Sequence, residues 1–494
     1  MSQDHKMKPY YHENHAKPVT RRQLVSQGFL SGAGFVAAPS ILAMLERRAF
    51  GAEPVCAKGA AAATTIPVIV IDLAGGANLA GSNVLVGGQN GQMDFLPAGS
   101  YATIGVAAAA EPQTVAPDTT FGLAFNARSQ MLVGMKARTT APTQANIDGV
   151  VFAATSNDDS RGNPLNPLYW VVKSGTAGEL VSFVGTSDGA SAGRSAAPPA
   201  SIDPSKAPSR ITAPADSAGL VNPGTMARIL AVGSTADRGV ADVKKILAAT
   251  KVMSESKLKM FQQQDLPTQV QDLIRCGYIN SSDFLSKFSA TALDPAADTM
   301  VTGQFNMADP LEARAASITK LVLDGYAGAG VIEMGGYDYH GQGRAAQNTK
   351  DQAAGRMIGN VLELAAKKQK PVMVYVYTDG GVSANAGGAP DANGLIAFTS
   401  DSGERSSTFA LVYKPGAAGR PAMRSTKRQI GAFKAGGSVD GTASKISNAP
   451  ELTTKAFVAN YLALTGREGD LAKIVGDNPF GSELDKHLAF AKIM

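Results

Sequence analysis

"AGVIEM", residues 329–334, is a short apolar run, β-branched at its centre and without alternation, which reads as a strand buried on both faces. It follows "LEARAASITKLVLDG" (311–325), where Leu311, Ala315, Ile318 and Val322 recur at three- and four-residue intervals and Gly325 ends the pattern. Beyond it come "GGYDYHGQ" (335–342), a second helical pattern over roughly 345–368 carried by Ala354, Ile358, Val361, Leu362 and Ala365, and a second buried strand, "PVMVYVYT" (371–378). Helix, strand, helix, strand with continuous apolar strands predicts an α/β fold, its mainly parallel central sheet covered by helices on both faces. In such sheets ligands bind beyond the carboxyl ends of the strands, where "GGYDYH" and "TDGG" (378–381) both fall.

Other segments extend this frame. "TIPVIVIDLAGGANLAGSN" (65–83) starts as a buried strand and breaks at Gly75-Gly76 into a polar loop, and "GVVFAAT" (149–155) is another strand, running into "SNDDSRGNPLNPLYW". Strand "STFALVY" (407–413) is preceded by "TSDSGERS". From 77 to about 145 the chain is rich in Gly, Ala and Thr, and its short apolar runs define no element. Residues 187–218 are rich in Ser, Ala and Pro and read as a long surface excursion, either a partner-binding loop or an inert insertion. The pattern from 225 to 292 is helical ("VADVKKILAATKVM", "LPTQVQDLIRCGYI"), and Asp485–Met494 reads as a C-terminal packing helix that includes His487.

The first 52 residues read as an export signal: a polar stretch ending in "TRRQLV" with paired Arg21 and Arg22, a weakly apolar "SQGFLSGAGFVAAPSILAML", and then "ERRAFGAE". The alternative is a retained basic amphipathic helix. Ala49-Phe50-Gly51 offers a small-x-small cleavage site, whereas Val55 before Cys56 makes a poor lipoprotein box. Residues 53–494 are then one α/β domain, expected in the periplasm or outside the cell with no transmembrane anchor once the signal is removed.

The formal charge of +5 is concentrated in that segment, where seven Lys/Arg against three Asp/Glu leave only about +1 on the remainder. The pI of 8.9 therefore implies no nucleic-acid partner. Of five histidines only His340 and His487 follow residue 52. Cys56 and Cys276 would meet an oxidising compartment, as a disulfide or as two free thiols. A composition of 44% hydrophobic and 18% charged residues is that of a globular chain.

Five loops gather the chemistry-bearing residues: Asp72 beside its glycines, Asp158, Asp159 and Ser160 after the 149–155 strand, Asp338 with His340, Asp379, and Asp401 with Ser402 and Glu404. Each Asp alone serves equally well as a turn or cap residue. Converging on one edge, they would suit a divalent ion (Mg²⁺, Ca²⁺, Mn²⁺ or Zn²⁺) with a hydroxyl as nucleophile. The candidate metal ligands are Asp72, Asp338, His340, Asp379 and Asp401, and the candidate catalytic residues are Ser156, Ser160 and His340.

The paired arginines in "TRRQL", the "DLAGGAN" strand and loop, "GGYDYH" before a long helix, and a strand into an acidic loop together resemble the domain-of-unknown-function 1501 family, Tat-exported bacterial proteins placed in the alkaline phosphatase and sulfatase superfamily. "GGYDYH" is similar to that family's Gly-Phe/Trp-Asp-Thr-His. The resemblance implies an alkaline phosphatase/sulfatase-like sandwich and metal-assisted hydrolysis of phosphate or sulfate esters. Several family features are missing: no acidic residue follows the first glycines, "TDGGVSA" lacks the arginine of the family's Ser-Glu-Phe-Gly-Arg, and "SDSGE" lacks the late histidine. Two expectations follow: an exported envelope protein with an eroded metal centre that binds a ligand or an envelope protein partner, or a simpler one-metal ester hydrolase.

Overall fold

The computed structural model describes residues 65–156, 164–176, 178, 181–186, 208–220, 292–378, 380–416 and 419–494. The export segment, Cys56, Cys276, Asp158, Asp159, Ser160, Asp379, residues 187–207 and the helical pattern from 225 up to residue 291 lie outside these residues.

Among the described residues an eight-stranded sheet organises the chain. Its strands are β1 (Val68–Leu73), β2 (Ile147–Ala154), β3 (Val181–Gly185), β4 (Ser209–Arg210), β5 (Ala327–Met334), β6 (Val372–Thr378), β9 (Ser406–Tyr413) and β10 (Gln429–Ile430). The order is β10-β2-β9-β6-β1-β5-β3-β4, and every pairing is parallel except the two made by β9. A separate ribbon pairs β7 (Val382–Ala384) with β8 (Phe398–Asp401).

The chain has the expected class, α/β with a mostly parallel central sheet. The strands at 329–334 and 371–378 are β5 and β6, flanking β1 in register from Val68 opposite Ala329 and Met373 to Leu73 opposite Met334 and Thr378. Period-two alternation splits β1 between two cores. Ile69, Ile71 and Leu73 pack with helices α2 (Pro310–Leu323) and α3 (Arg344–Lys367), whereas Val68 and Val70 pack with α4 (Pro450–Ala463). Each aliphatic side chain fully buried here is worth about 1.5–3 kcal/mol.

Local chemistry sets the helix bounds. Asp309 caps α2, its Oδ1 accepting from Leu311 and Glu312 N–H at 2.9 Å, with Pro310 at the first position. Helix α1 (Gln130–Lys136), in the stretch where the sequence defined no element, starts at Ser129, whose hydroxyl accepts from Leu132 N–H. It lies backbone-close on α3: a Cβ on Gly355 would stand 1.9 Å from the Met131 carbonyl oxygen, and one on Gly134 2.2 Å from that of Gln352. Only glycine permits that approach.

Two sequence expectations need correction. Ser209 and Arg210, placed in the surface excursion, pair along β3 as β4, and Ile211 behind them is fully buried, so the chain has returned to the sheet before residue 218. The C-terminal segment is not a helix through Met494. A 3-10 turn over Gly481–His487 gives way to extended chain, because Phe490 bridges to Met423 and Arg424 N–H donates to the Ala489 carbonyl. Among the described residues no helix is long and apolar enough to cross a membrane.

Candidate functional site

The carboxyl ends of β1, β2, β5 and β6 share one edge of the sheet. Because β9 runs antiparallel, its first residue, Ser406, pairs with Ala154 at the end of β2, which brings the preceding loop to that same edge. This reversal sets Asp401, at the end of β8, beside the loop that leaves β5.

There Asp338, His340 and Asp401 each offer one ligand atom, all within 4.8 Å of one another. His340 Nδ1 contacts both carboxylates, Asp338 Oδ1 closely and Asp401 Oδ1 at 3.1 Å. All three side chains are about half exposed, at 50%, 46% and 55% respectively. Nδ1 is thus the ring nitrogen that faces both carboxylates, and it is the imidazole atom that would share a cation with them.

What lies beneath is closed and polar. Tyr339, between the two ligand-bearing residues, is fully buried, and its hydroxyl donates to Asp351 Oδ1 at 2.8 Å. Asp351, also fully buried, takes Arg344 Nη2 at 3.1 Å and Asn83 Nδ2 at 3.0 Å, and Ser129 in turn donates to Asn83 Oδ1. Burial pushes the Asp351 carboxyl above its ordinary range, with Arg344 and the hydrogen bonds from Tyr339 and Asn83 pulling the other way. Burial first, and then the negative charge of Asp351, raise the Tyr337 and Tyr339 phenols well above theirs, so neither is a base at neutral pH.

The glycine loop after β1 holds this segment through its backbone. Tyr337 N–H donates to the Ala74 carbonyl at 2.9 Å and Tyr339 N–H to that of Gly76 at 3.2 Å. A Cβ on Gly75, whose φ is +124°, would meet Asp338 N at 2.6 Å.

The candidate residues are thus partly assembled. Asp338, His340 and Asp401 come together. Asp72 is not in their group: it is fully buried on the Val68–Val70 face of β1, opposite Glu333 and Tyr377, whereas Tyr337 and Tyr339 join the core on the other face. Ser156 is buried just past β2, where its N–H donates to the Gly403 carbonyl at 3.0 Å. Its Oγ makes no hydrogen bond among the described residues, and a Cβ on Gly381 would lie 3.0 Å from it. Ser160 and Asp379 fall outside the described residues.

Sequence reasoning passed over the supporting residues Arg344, Gln347 and Asp351. Their signal was three polar residues at i, i+3 and i+7 on a helix face otherwise buried, which is readable only once the helix is known to be enclosed. His487 serves packing. It stacks on Phe480 at 4.3 Å, faces the Glu483 carbonyl through Nδ1 and Ser444 Oγ through Nε2, and is pushed by burial below the ordinary imidazole range.

The donor types suit a divalent cation. Bonds of about 2.0–2.2 Å at tetrahedral or octahedral angles put neighbouring ligand atoms about 3.0–3.5 Å apart; His340 Nδ1 and Asp401 Oδ1, at 3.1 Å, have that spacing, whereas His340 Nδ1 and Asp338 Oδ1 stand closer and must part to admit an ion between them. One imidazole with two carboxylates suits Mn²⁺ or Zn²⁺ better than the all-oxygen preference of Mg²⁺ and Ca²⁺. No protein-family profile, curated protein or solved structure matches this chain.

Proposed function

We propose that this chain is an exported bacterial envelope protein of alkaline phosphatase/sulfatase-like architecture, its metal centre reduced to one open cation site at Asp338, His340 and Asp401. It binds an anionic ligand through that cation and does not hydrolyse it. The observation that carries this reading is the convergence of an imidazole and two carboxylates, half exposed, at the ligand-binding edge of a mostly parallel sheet. Among the described residues no second group of three such donors exists, and His487 is committed to packing. Such a centre lacks the paired ions that stabilise both attacking and leaving oxygens in two-metal hydrolysis. The paired Arg21 and Arg22 ahead of a weakly apolar stretch support Tat export to the periplasm or beyond.

When bound, the ion supplies positive charge and open coordination positions at the sheet edge. The chain's own part is to hold three donors in place and leave the outer side open to solvent. One observation favours a hydrolase as the second reading. Ser156 Oγ is buried without a hydrogen bond among the described residues, next to the loop that carries Asp401, where a nucleophile would be enclosed.

The test is the metal content of the protein purified from its exported location without chelator or histidine tag, together with a screen of phosphate and sulfate esters. We expect about one Mn²⁺ or Zn²⁺ per chain, lost in Asp338→Ala/His340→Ala, and no ester turnover. Unchanged metal in that variant overturns the site. Turnover abolished by Ser156→Ala establishes the hydrolase instead.

A further inference from the structure

The three half-exposed ligands sit on two chain segments that share no regular strand pairing: Asp338 and His340 on the loop after β5, Asp401 at the end of β8. Asp401 pairs with Val382 in a β7–β8 ladder only a few residues long, whose register shifts between Ser383 and Ala384. The chain just after it is tied by Ser402 N–H to the Gly381 carbonyl at 2.7 Å and by the Gly403 carbonyl to Ser156 N–H at 3.0 Å, and neither tie reaches the loop after β5.

Gln347, in the first turn of α3 and fully buried, joins the two segments with a single amide. Its Nε2 reaches the carbonyls of Tyr339 at 2.9 Å, Gln342 at 2.8 Å and Phe398 at 3.0 Å, and its Oε1 accepts from Phe398 N–H at 3.2 Å. Both hydrogens of the amide and its oxygen are thereby spent on backbone groups of the two ligand-bearing segments. Tyr339 lies between Asp338 and His340, and Phe398 opens the strand that ends at Asp401. The Tyr339 ring also stacks on that of Phe398, with centroids 6.2 Å apart.

We infer that Gln347 is the positioning residue of the cation site, an inference that rests on the cation reading above: it sets the separation of Asp401 from His340 and thereby the preference for a small ion over a large one. With the amide in place the donors are held in one arrangement, as the stricter geometry of Mn²⁺ or Zn²⁺ requires. With it gone, β8 relaxes, and the looser site loses the small ion while still serving Ca²⁺, whose longer bonds tolerate irregular geometry.

The experiment compares wild type, Gln347→Met, Gln347→Glu and Tyr339→Phe as full chains. Gln347→Glu keeps the volume and an acceptor and, protonated by burial among three carbonyls, leaves a single donor hydrogen in place of two, so it serves if the Met variant does not fold. Tyr339→Phe loosens the core but leaves the amide tie intact. Mn²⁺ and Ca²⁺ affinities are titrated calorimetrically, and ¹⁵N-histidine NMR of the metal-free chain reports the His340 Nδ1–H shared with Asp338 and Asp401.

Removing supporting groups around a metal typically costs 10–100-fold in affinity. We therefore expect the Gln347 variants to lose at least about tenfold for Mn²⁺, to hold Ca²⁺ within about threefold, and to lose the Nδ1–H signal, while Tyr339→Phe keeps the wild-type ratio and signal. Gln347 variants with the wild-type ratio and signal overturn the inference, as does a Tyr339→Phe variant that shifts the ratio equally. If the wild type binds neither ion, the cation reading falls, and the NMR comparison alone still decides whether Gln347 positions His340 against Asp401.

Discussion

Tyr339 and Asp351 are both fully enclosed, and the phenol of one donates to the carboxylate of the other at 2.8 Å directly beneath the candidate ligands. The same carboxylate balances Arg344, whose side chain is also almost wholly buried. A buried charge pair contributes little net stability over an apolar replacement, but breaking it leaves the surviving charge unpaired.

Asp351→Asn should therefore lose about 3–5 kcal/mol, since Arg344 keeps its charge in a closed site. An Arg344→Met/Asp351→Leu double variant should recover most of that loss. Urea unfolding of Arg344→Met, Asp351→Leu and the double variant, beside Asp351→Asn, measures the coupling. A double variant as unstable as Asp351→Asn would show that the network is held by its hydrogen bonds to Tyr339 and Asn83 and not by the charge pair.

How much of this was legible beforehand follows from particular residues. β1, β5 and β6 were readable because strands buried on both faces are written as unbroken apolar runs. "GGYDYH" was readable because it leaves such a strand. The direction of β9 was not, since "STFALVY" has the same apolar continuity whether parallel or antiparallel, yet that reversal brings Asp401 to His340. Asp72 was placed at the correct strand end but on the wrong face for this group, because its face depends on which helices cover Val68 and Val70. β4 is two residues long, and a pairing of that length leaves no periodicity to read.

Acid stability should depend on a cluster at the opposite end of the helices. Asp298 contacts Lys320 at 3.2 Å and Lys368 at 2.8 Å, and Asp324 joins both. Burial alone would raise the Asp298 carboxyl, but the hydrogen bond and charge of Lys368, then those of Lys320, bring it down to about 2. A carboxyl depressed in the folded state contributes stability that is present above its ordinary value of 3.8 and is lost as the pH falls toward 2. Asp298→Asn keeps the cap on Met300 N–H and removes the charge together with the oxygen that accepts from Lys320 and Lys368. Thermal unfolding should show this variant below wild type at pH 7, with the gap closing between about pH 4 and pH 2. A gap constant over that window would mean that the cap, and not the ion pairs, carries the effect.

The glycine loop after β1 gives the last prediction. Gly75 has φ +124°, a conformation costing a side chain about 1–3 kcal/mol, and an added methyl would also stand 2.6 Å from Asp338 N. Gly476 has a comparable φ of +93° with open space around its missing Cβ, so Gly476→Ala carries the backbone strain without a collision. Both alanine variants should therefore unfold at lower temperature, Gly75→Ala by more. Only Gly75→Ala should weaken Mn²⁺ binding, because the collision is relieved by moving the backbone of Asp338, and with it the carboxylate facing His340. Equal Mn²⁺ affinity in the two variants would show that the loop stabilises the sheet edge without setting the position of the ligands.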